Sequence, residues 1–159
     1  MALDFNISPA HVSDAGILTG IAFKAKRFWP YPEAFFEIWK NELTISETEI
    51  ENDTFFKVET KKRIIAFYSI VYVPRGKNVG EINVPRGYWL DHMFVLPKFH
   101  GNGIGSKMLQ HALNTSPESL QIFVDPYAIG FYEKHGATFW YNSPSSIHGR
   151  EIPVYRLSK

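Results

Sequence analysis

Apolar positions along the chain follow two different periods, and the changes between them predict a mixture of helices and strands. The first part of the sequence predicts a short strand at residues 3–8, and then a helix that begins near Ser13 and carries apolar residues at helical spacing. The run Trp29-Pro30-Tyr31-Pro32 interrupts this pattern, because proline removes a backbone donor and clashes inside a helix. A second helix is predicted from Pro32 to about Leu43.

The middle of the chain changes to runs of aromatic and β-branched residues, which favour strands. Residues 54–72 predict a hairpin of two paired strands around a charged Lys-Lys-Arg turn. Residues 73–87 contain Val-Pro-Arg-Gly twice, which predicts two turns flanking a polar loop without chemistry of its own. Residues 87–96 are the candidate for a long strand that stops at Pro97.

The pattern of the last third of the chain predicts further helices and strands. The expected segments are a helix at 103–113, a strand at 119–124, a short helix at 127–136, and strands at 137–142 and 152–158. Strands and helices are mixed without a strict strand–helix–strand repeat. We therefore predict an α+β (mixed α/β) fold in which residues 1–159 form a single domain around one central sheet.

Composition and charge restrict the classes of partner. Hydrophobic residues make up 45% of the 159 residues and charged residues 21%, which is enough apolar material for one core. Seventeen basic residues against sixteen acidic ones give a net charge of +1, which does not favour nucleic acid or an anionic membrane. No apolar run approaches the roughly 20 residues that span a bilayer, and the first ten residues lack a secretory pattern. We expect a cytoplasmic protein with neither nucleic-acid nor membrane partners.

The chain contains no cysteine, which excludes several kinds of chemistry. Disulfides, thiolate metal ligands and a cysteine-borne acyl intermediate cannot form. Apart from His92 and His100, the histidines are scattered without the spacing of a metal site, so we predict no metal; these are His11, His111, His135 and His148.

The sharpest local feature is the glycine-rich segment from His100 to Ser106, between a predicted strand and a predicted helix. Small residues let backbone N–H groups approach a ligand, and the start of a helix adds partial positive charge, so a phosphate group suits this place. The alternative is that the glycines only form a tight turn. Lys107 follows Ser106 instead of preceding it, which is the wrong order for a nucleotide triphosphate loop, and Gly-Asn-Gly-Ile-Gly does not match the dinucleotide fingerprint.

Two sequence motifs resemble those of the GNAT N-acetyltransferase superfamily. The segment Phe94–Gly105 is similar to its coenzyme A signature, with His100 where the family has glutamine or arginine. The second signature, an asparagine followed by an alanine and an aromatic pair, is matched by Asp125, Ala128, Phe131 and Tyr132, with aspartate in place of asparagine. The resemblance extends over residues 3–157. It implies a mixed, mostly antiparallel sheet with splayed fourth and fifth strands, about four flanking helices, and acetyl-CoA as co-substrate in the resulting cleft.

The resemblance also implies roles for individual residues. Main-chain groups of Phe94, Val95 and Leu96 would pair with pantetheine and stabilise charge near the thioester carbonyl. Tyr132 would protonate the coenzyme A sulfur. The remaining residues implied in cofactor binding are His100, Gly101, Asn102, Gly103, Ile104, Gly105, Ser106 and Asp125.

The general base and the acceptor stay open at this stage. Asp91 and His92 are adjacent in a predicted strand, so at most one of them faces the substrate, and each could equally be structural. In the family the acceptor pocket is formed by the first two helices, their connection and a late loop. Here those positions correspond to Phe28, Trp29, Tyr31, Phe35 and residues 143–150, which implies an aromatic pocket.

The function we expect is direct transfer of acetyl from acetyl-CoA to a primary amine of a small molecule or peptide, without an acyl-enzyme. One alternative is a noncatalytic domain of the same fold that binds or senses coenzyme A. Another is a nucleotide-binding enzyme of a different fold. A partly uncovered sheet edge near the end of the chain could support a homodimer.

Overall fold

The computed structural model describes residues 2–159. Its strands, numbered in chain order, are β1 (Asn6–Pro9), β2 (Thr54–Glu59), β3 (Ile64–Val73), β4 (Lys77–Val79), β5 (Ile82–Val84), β6 (Gly87–Val95), β7 (Leu120–Phe123), β8 (Thr138–Pro144) and β9 (Glu151–Leu157). Its α-helices are α1 (Ala15–Arg27), α2 (Glu33–Leu43), α3 (Glu47–Asn52), α4 (Ile104–Thr115) and α5 (Ile129–Lys134). Short 3₁₀ turns lie at Val12–Asp14, Pro97–Phe99 and Pro126–Ala128. None of the helices between residues 2 and 159 is both long and apolar enough to cross a membrane.

The sheet has seven strands in the order β1-β2-β3-β6-β7-β9-β8, and β4 pairs separately with β5. The β1–β2, β7–β9 and β8–β9 pairs are antiparallel, whereas β6 and β7 are parallel. The parallel pairing joins Tyr88 to Leu120 and Trp89 to Gln121, although β6 continues to Val95. The predicted mixed fold with a mostly antiparallel sheet and flanking helices is confirmed.

The described chain divides into two compact units. The first comprises residues 2–69 and 92–111, and the second comprises residues 70–91 and 112–159. The parallel pairing of β6 with β7 lies in the second unit. The glycine-rich segment lies in the first.

In the first unit, neighbouring residues of β3 point to opposite faces of the sheet, as the pleat requires. Phe67 stacks on Phe55 with ring centroids 6.3 Å apart. Tyr68 stacks on Phe56 at 5.5 Å, and its hydroxyl lies 2.6 Å from Nδ1 of His111 in α4. The first face is therefore lined by phenyl rings, and the second face carries a buried tyrosine–histidine pair.

Helix α3 was not predicted from the hydrophobic pattern. It has six residues, of which only Ile50 is buried, so it shows no apolar stripe. Its start is defined by a capping box in which the Ser46 hydroxyl accepts from the Glu49 N–H at 3.1 Å. The sequence signal for this helix was therefore the Ser-x-x-Glu spacing of its capping box, because its apolar residues show no helical periodicity.

In the second unit, a small apolar cluster includes Val73 and Val84, the first residues of the two Val-Pro-Arg-Gly copies that were predicted as turns. Val73, Val84, Trp89 and Val154 are its buried members, and Trp89 also stacks on Phe123 with centroids 4.6 Å apart. The segment between the two Val-Pro-Arg-Gly copies forms the β4–β5 hairpin. Strands of three residues are too short to show the alternation from which strands are predicted.

Gly87 is required by its backbone conformation and by a close neighbour. Its φ is +136°, and a Cβ placed there would lie 2.3 Å from Nε2 of Gln121. That amide donates to the Arg86 carbonyl at 3.1 Å, so moving it would break a hydrogen bond. The position therefore excludes other residues on two independent grounds.

We expect Gly87→Ala to lower the free energy of unfolding by about 3 kcal/mol, from strain in a glycine-only region and the displaced Gln121 amide. Gly80→Ala is the matched control, because Gly80 has a φ of +60° and open space around it. It should cost only about 1 kcal/mol. Urea denaturation of the three proteins measures the difference, and equal losses would contradict the role given to Gln121.

Candidate active site

The glycine-rich segment connects the end of β6 to the start of α4 through the 3₁₀ turn Pro97–Phe99. Gly101 and Gly103 have φ values of +83° and +74°, and a Cβ at either position would meet no atom within 4 Å. The loop is therefore open, and its glycines are required by conformation and not by crowding. The side-chain amide of Asn102 donates to the carbonyls of Phe99 at 2.9 Å and His100 at 3.3 Å. Asn102 thus holds the turn in shape.

The amides of this loop precede the hydrogen-bond ladder of α4. Lys107 donates to the Gly103 carbonyl at 3.1 Å, which is the first helical bond. The N–H groups before it lie in the first turn of the helix, where the helix itself supplies no acceptors. An open loop of this kind at the N-terminus of a twelve-residue helix fits the diphosphate of coenzyme A.

His100 stands at the rim of the loop beside an aromatic residue from α1's end. Its ring meets Phe28 edge-on, with centroids 4.9 Å apart and an interplanar angle of 79°. Both side chains are exposed. The structure thus brings together a residue predicted for the donor site and one predicted for the acceptor pocket.

The three residues predicted to offer main-chain groups differ in what their backbones already do. The Leu96 N–H donates to the Ile65 carbonyl in β3 at 2.9 Å. Successive residues of a strand direct their backbone groups to opposite edges, so Val95 directs its N–H and carbonyl away from β3. Among the three, Val95 is therefore the residue whose N–H and carbonyl are oriented toward a ligand. The backbone groups of Phe94 and Leu96 are directed toward β3.

The structure separates the two candidate bases by burial. Asp91 is exposed, whereas His92 is buried in the first unit. Three phenyl rings surround the imidazole with centroids at 6.1 Å, from Phe55, Phe67 and Phe94. The backbone N–H of His92 donates to the Ser69 hydroxyl at 3.1 Å.

Glu49 contacts His92 and was missed by the sequence reasoning. Its Oε2 lies 3.6 Å from Nε2 of His92. The interaction with His92 lowers the pKa of the Glu49 carboxyl, against an opposing effect of burial. The available signal was the capping-box spacing from Ser46, but that spacing predicts a helix start and not a partner for a distant histidine.

Tyr132 and Asp125, the ends of the second motif, lie in the second unit. Tyr132 is buried, and burial together with the charge of Asp125 raises the pKa of its phenol. The phenol is therefore protonated at neutral pH, and the raised pKa makes it a weaker acid than an exposed tyrosine. Asp125 also has a local task, since its Oδ1 accepts from the Tyr127 N–H at 3.0 Å and caps the following 3₁₀ turn.

The aromatic residues predicted for an acceptor pocket cluster around the connection of α1 and α2. Phe28 meets Trp29 at 4.9 Å, and Tyr31 lies 6.1 Å from Phe35. Trp39 in α2 completes the cluster, with its ring centroid 4.9 Å from that of Tyr31, and the Lys26 ammonium lies 4.4 Å from the Trp39 ring centroid. Residues 143–150 belong to the second unit, where the Ser145 N–H donates to the Arg150 carbonyl at 2.9 Å.

The model of the Acetyltransferase (GNAT) family matches residues 22–137 of this chain, which include the glycine loop and the motif ending at Tyr132. The chain belongs to the GNAT acetyltransferase family. None of the curated proteins matches it. The family assignment therefore stands on the family model, while the solved structures show the fold.

Several solved GNAT structures share the fold along nearly the whole chain at low identity. The PaiA N-acetyltransferase of Thermoplasma acidophilum, in complex with coenzyme A, is 15% identical, with a TM-score of 0.74 over 99% of this chain and 100% of that one. A GCN5-related N-acetyltransferase of Rhodopseudomonas palustris is 16% identical, with a TM-score of 0.78 over 100% and 99%. The ribosomal-protein-S18-alanine N-acetyltransferase of Escherichia coli is 19% identical, with a TM-score of 0.62 over 98% and 94%.

Proposed function

We propose that this GNAT protein, acting as one domain over residues 1–159, transfers acetyl from acetyl-CoA directly to a primary amine of a small molecule or peptide. The observation that carries the proposal is the open glycine loop between β6 and α4, whose Gly101 and Gly103 have positive φ. The PaiA neighbour was solved with coenzyme A, which supports the same donor here. With no cysteine in the chain, the acetyl group passes to the amine without a cysteine acyl-enzyme.

The donor is held chiefly by main-chain groups. Backbone amides from Gly101 to Ser106 bind the diphosphate at the N-terminus of α4, with the His100 ring at the rim. Val95 offers its N–H and carbonyl to the pantetheine arm. The bound thioester supplies an activated acyl carbon, and the protein has to deliver and remove protons.

The proton transfers require a base and an acid. An alkylamine with a pKa near 10.4 is mostly protonated at neutral pH, so a proton has to leave before or during attack. We propose that the imidazole of His92 is the base that accepts this proton. The amine nitrogen bonds to the acyl carbon, the carbon–sulfur bond breaks, and the sulfur takes a proton from Tyr132. The imidazolium and the phenolate then return to their resting states by exchange with water.

Calorimetry with acetyl-CoA and release of free coenzyme A thiol with a panel of amines test the proposal. We expect Gly103→Val to weaken acetyl-CoA binding by about 10-fold or more, because a β-branched residue strains this φ and reshapes the amides. Gly149→Val is the matched control, since Gly149 has a φ of +78° and open space but lies outside the loop. Its affinity should stay at the wild-type value.

Two outcomes would count against the proposal in different ways. Absence of binding heat with acetyl-CoA would contradict the donor site itself. Binding heat without thiol release from any amine in the panel would replace the enzyme with a domain that binds or senses coenzyme A.

A further inference from the structure

We propose that Glu49 is a positioning residue for His92, holding the imidazole in place and stabilising the imidazolium that forms when His92 takes the proton of the acceptor amine. This inference rests on the proposed function, because it assigns a partner to the base of that reaction. It joins a residue of α3 to a residue of β6 that is far away in sequence.

The start of α3 fixes the orientation of the Glu49 carboxylate. Oε1 faces the cap, where it lies 3.3 Å from the Ser46 N–H and 3.4 Å from the Ser46 hydroxyl. Oε2 lies 3.6 Å from Nε2 of His92. One oxygen is therefore anchored to the helix start, and the other faces the imidazole. The second distance is that of an ion pair that can shorten when charge develops on the ring.

The apolar surroundings of His92 strengthen its electrostatic interaction with Glu49. The side chain of His92 is 10% exposed and that of Glu49 is 35% exposed. The elements packed against the imidazole contribute Phe55 from β2, Phe67 from β3 and Phe94 from β6, none of which carries a charge. Low polarity around a charge raises the strength of its remaining electrostatic contacts.

Two neighbouring carboxylates bear on the charge of His92. An oxygen of Glu49 lies 3.6 Å from Nε2 of the ring, and an oxygen of Asp91, the exposed preceding residue of the strand, lies within 4.8 Å of a ring nitrogen. The lowered pKa of the Glu49 carboxyl agrees with an anion facing a group that gains positive charge. Glu49 therefore has two separable tasks, one for the helix and one for the histidine.

The two tasks can be separated by a single substitution. A capping box accepts glutamine as well as glutamate at this position, so Glu49→Gln keeps the helix start and removes the charge. Glu47→Gln is the matched control, because Glu47 lies in the same first turn and its loss removes the same charge from α3. Glu47 has no place in the proposed catalytic machinery.

We expect Glu49→Gln to lower kcat/KM near neutral pH by about 10-fold while the KM for acetyl-CoA stays unchanged. The carboxylate favours the protonated imidazole, so its removal makes His92 harder to protonate. The acid limb of the pH profile of kcat/KM should therefore move to lower pH. Glu47→Gln should show neither change.

An NMR titration of the His92 imidazole follows the same pair without requiring turnover. Its midpoint should move to lower pH in Glu49→Gln and stay in place in Glu47→Gln. An unmoved midpoint and an unmoved acid limb in Glu49→Gln would overturn the inference. A moved midpoint in a protein that transfers acetyl to no amine would uphold the pair and overturn the proposed function instead.

Discussion

Tyr132→Phe is expected to lower kcat by about 100-fold, which is within the range contributed by a positioned general acid. The reason is that a departing thiolate needs a proton, and the phenol of the buried Tyr132, which is protonated at neutral pH, is the proposed donor. Acetyl-CoA affinity should change by less than about twofold, because the loss falls on the transition state. Single-turnover measurement of thiol release, together with calorimetry, separates the two quantities.

Tyr127→Phe is the control for Tyr132→Phe. Tyr127 lies in the 3₁₀ turn that precedes α5 and is exposed, so the substitution removes the same hydroxyl from the same region. Its kcat should stay at the wild-type value. A Tyr132→Phe protein that folds normally and turns over at the wild-type rate would remove Tyr132 from the mechanism.

His92→Gln is expected to lower kcat/KM by about 100-fold near neutral pH, because the amine then loses its proton without a positioned base. The wild-type profile should fall on the acid side, where the imidazole is protonated and cannot accept. The variant should lack that limb and gain activity steadily with pH as more of the amine is neutral. Initial rates between about pH 6 and pH 9 bracket the ordinary histidine pKa.

Asp91→Asn is the comparison variant for His92→Gln, since the two residues are neighbours on β6 and a carboxylate oxygen of Asp91 lies within 4.8 Å of a His92 ring nitrogen. We expect its kcat/KM to fall less than that of His92→Gln, because Asp91 is exposed and its charge acts on the base from outside. A larger loss in Asp91→Asn than in His92→Gln would exchange the two roles. Glu49→Gln added to His92→Gln should cost nothing further, because the pair acts as one unit.

Much of the fold could be predicted because local signals and tertiary structure agree. β6 ends at Val95, just before Pro97, because proline lacks the N–H that a strand needs. The glycine loop and α4 follow in the predicted order. α3 and the β4–β5 hairpin were missed because each element is too short to show a period. Each element is anchored by a buried side chain, Ile50 in α3 and Val84 in β5. Both side chains are buried by residues far away in sequence, so a local pattern does not show them.

The site could be predicted only in part. The glycine loop and Tyr132 are carried by contiguous motifs that are readable from the sequence. Choosing between Asp91 and His92 depends on which face of the sheet each one meets, and that is determined by the pairing of β6 with neighbours far away in sequence. Glu49 is harder still, because a helix from another part of the chain brings it to His92.

The opposite orientation of Phe67 and Tyr68 in β3 limits how the chain can change its length. Phe67 belongs to the phenyl-lined face of His92, whereas Tyr68 holds His111 on the reverse face. A deletion in the tight connection before β3 that slid this strand by one position would exchange every side chain between the two faces. Such a slip would remove Phe67 from beside His92 and the Tyr68 hydroxyl from beside His111, so insertions and deletions in that connection are tolerated only where the strand keeps its register.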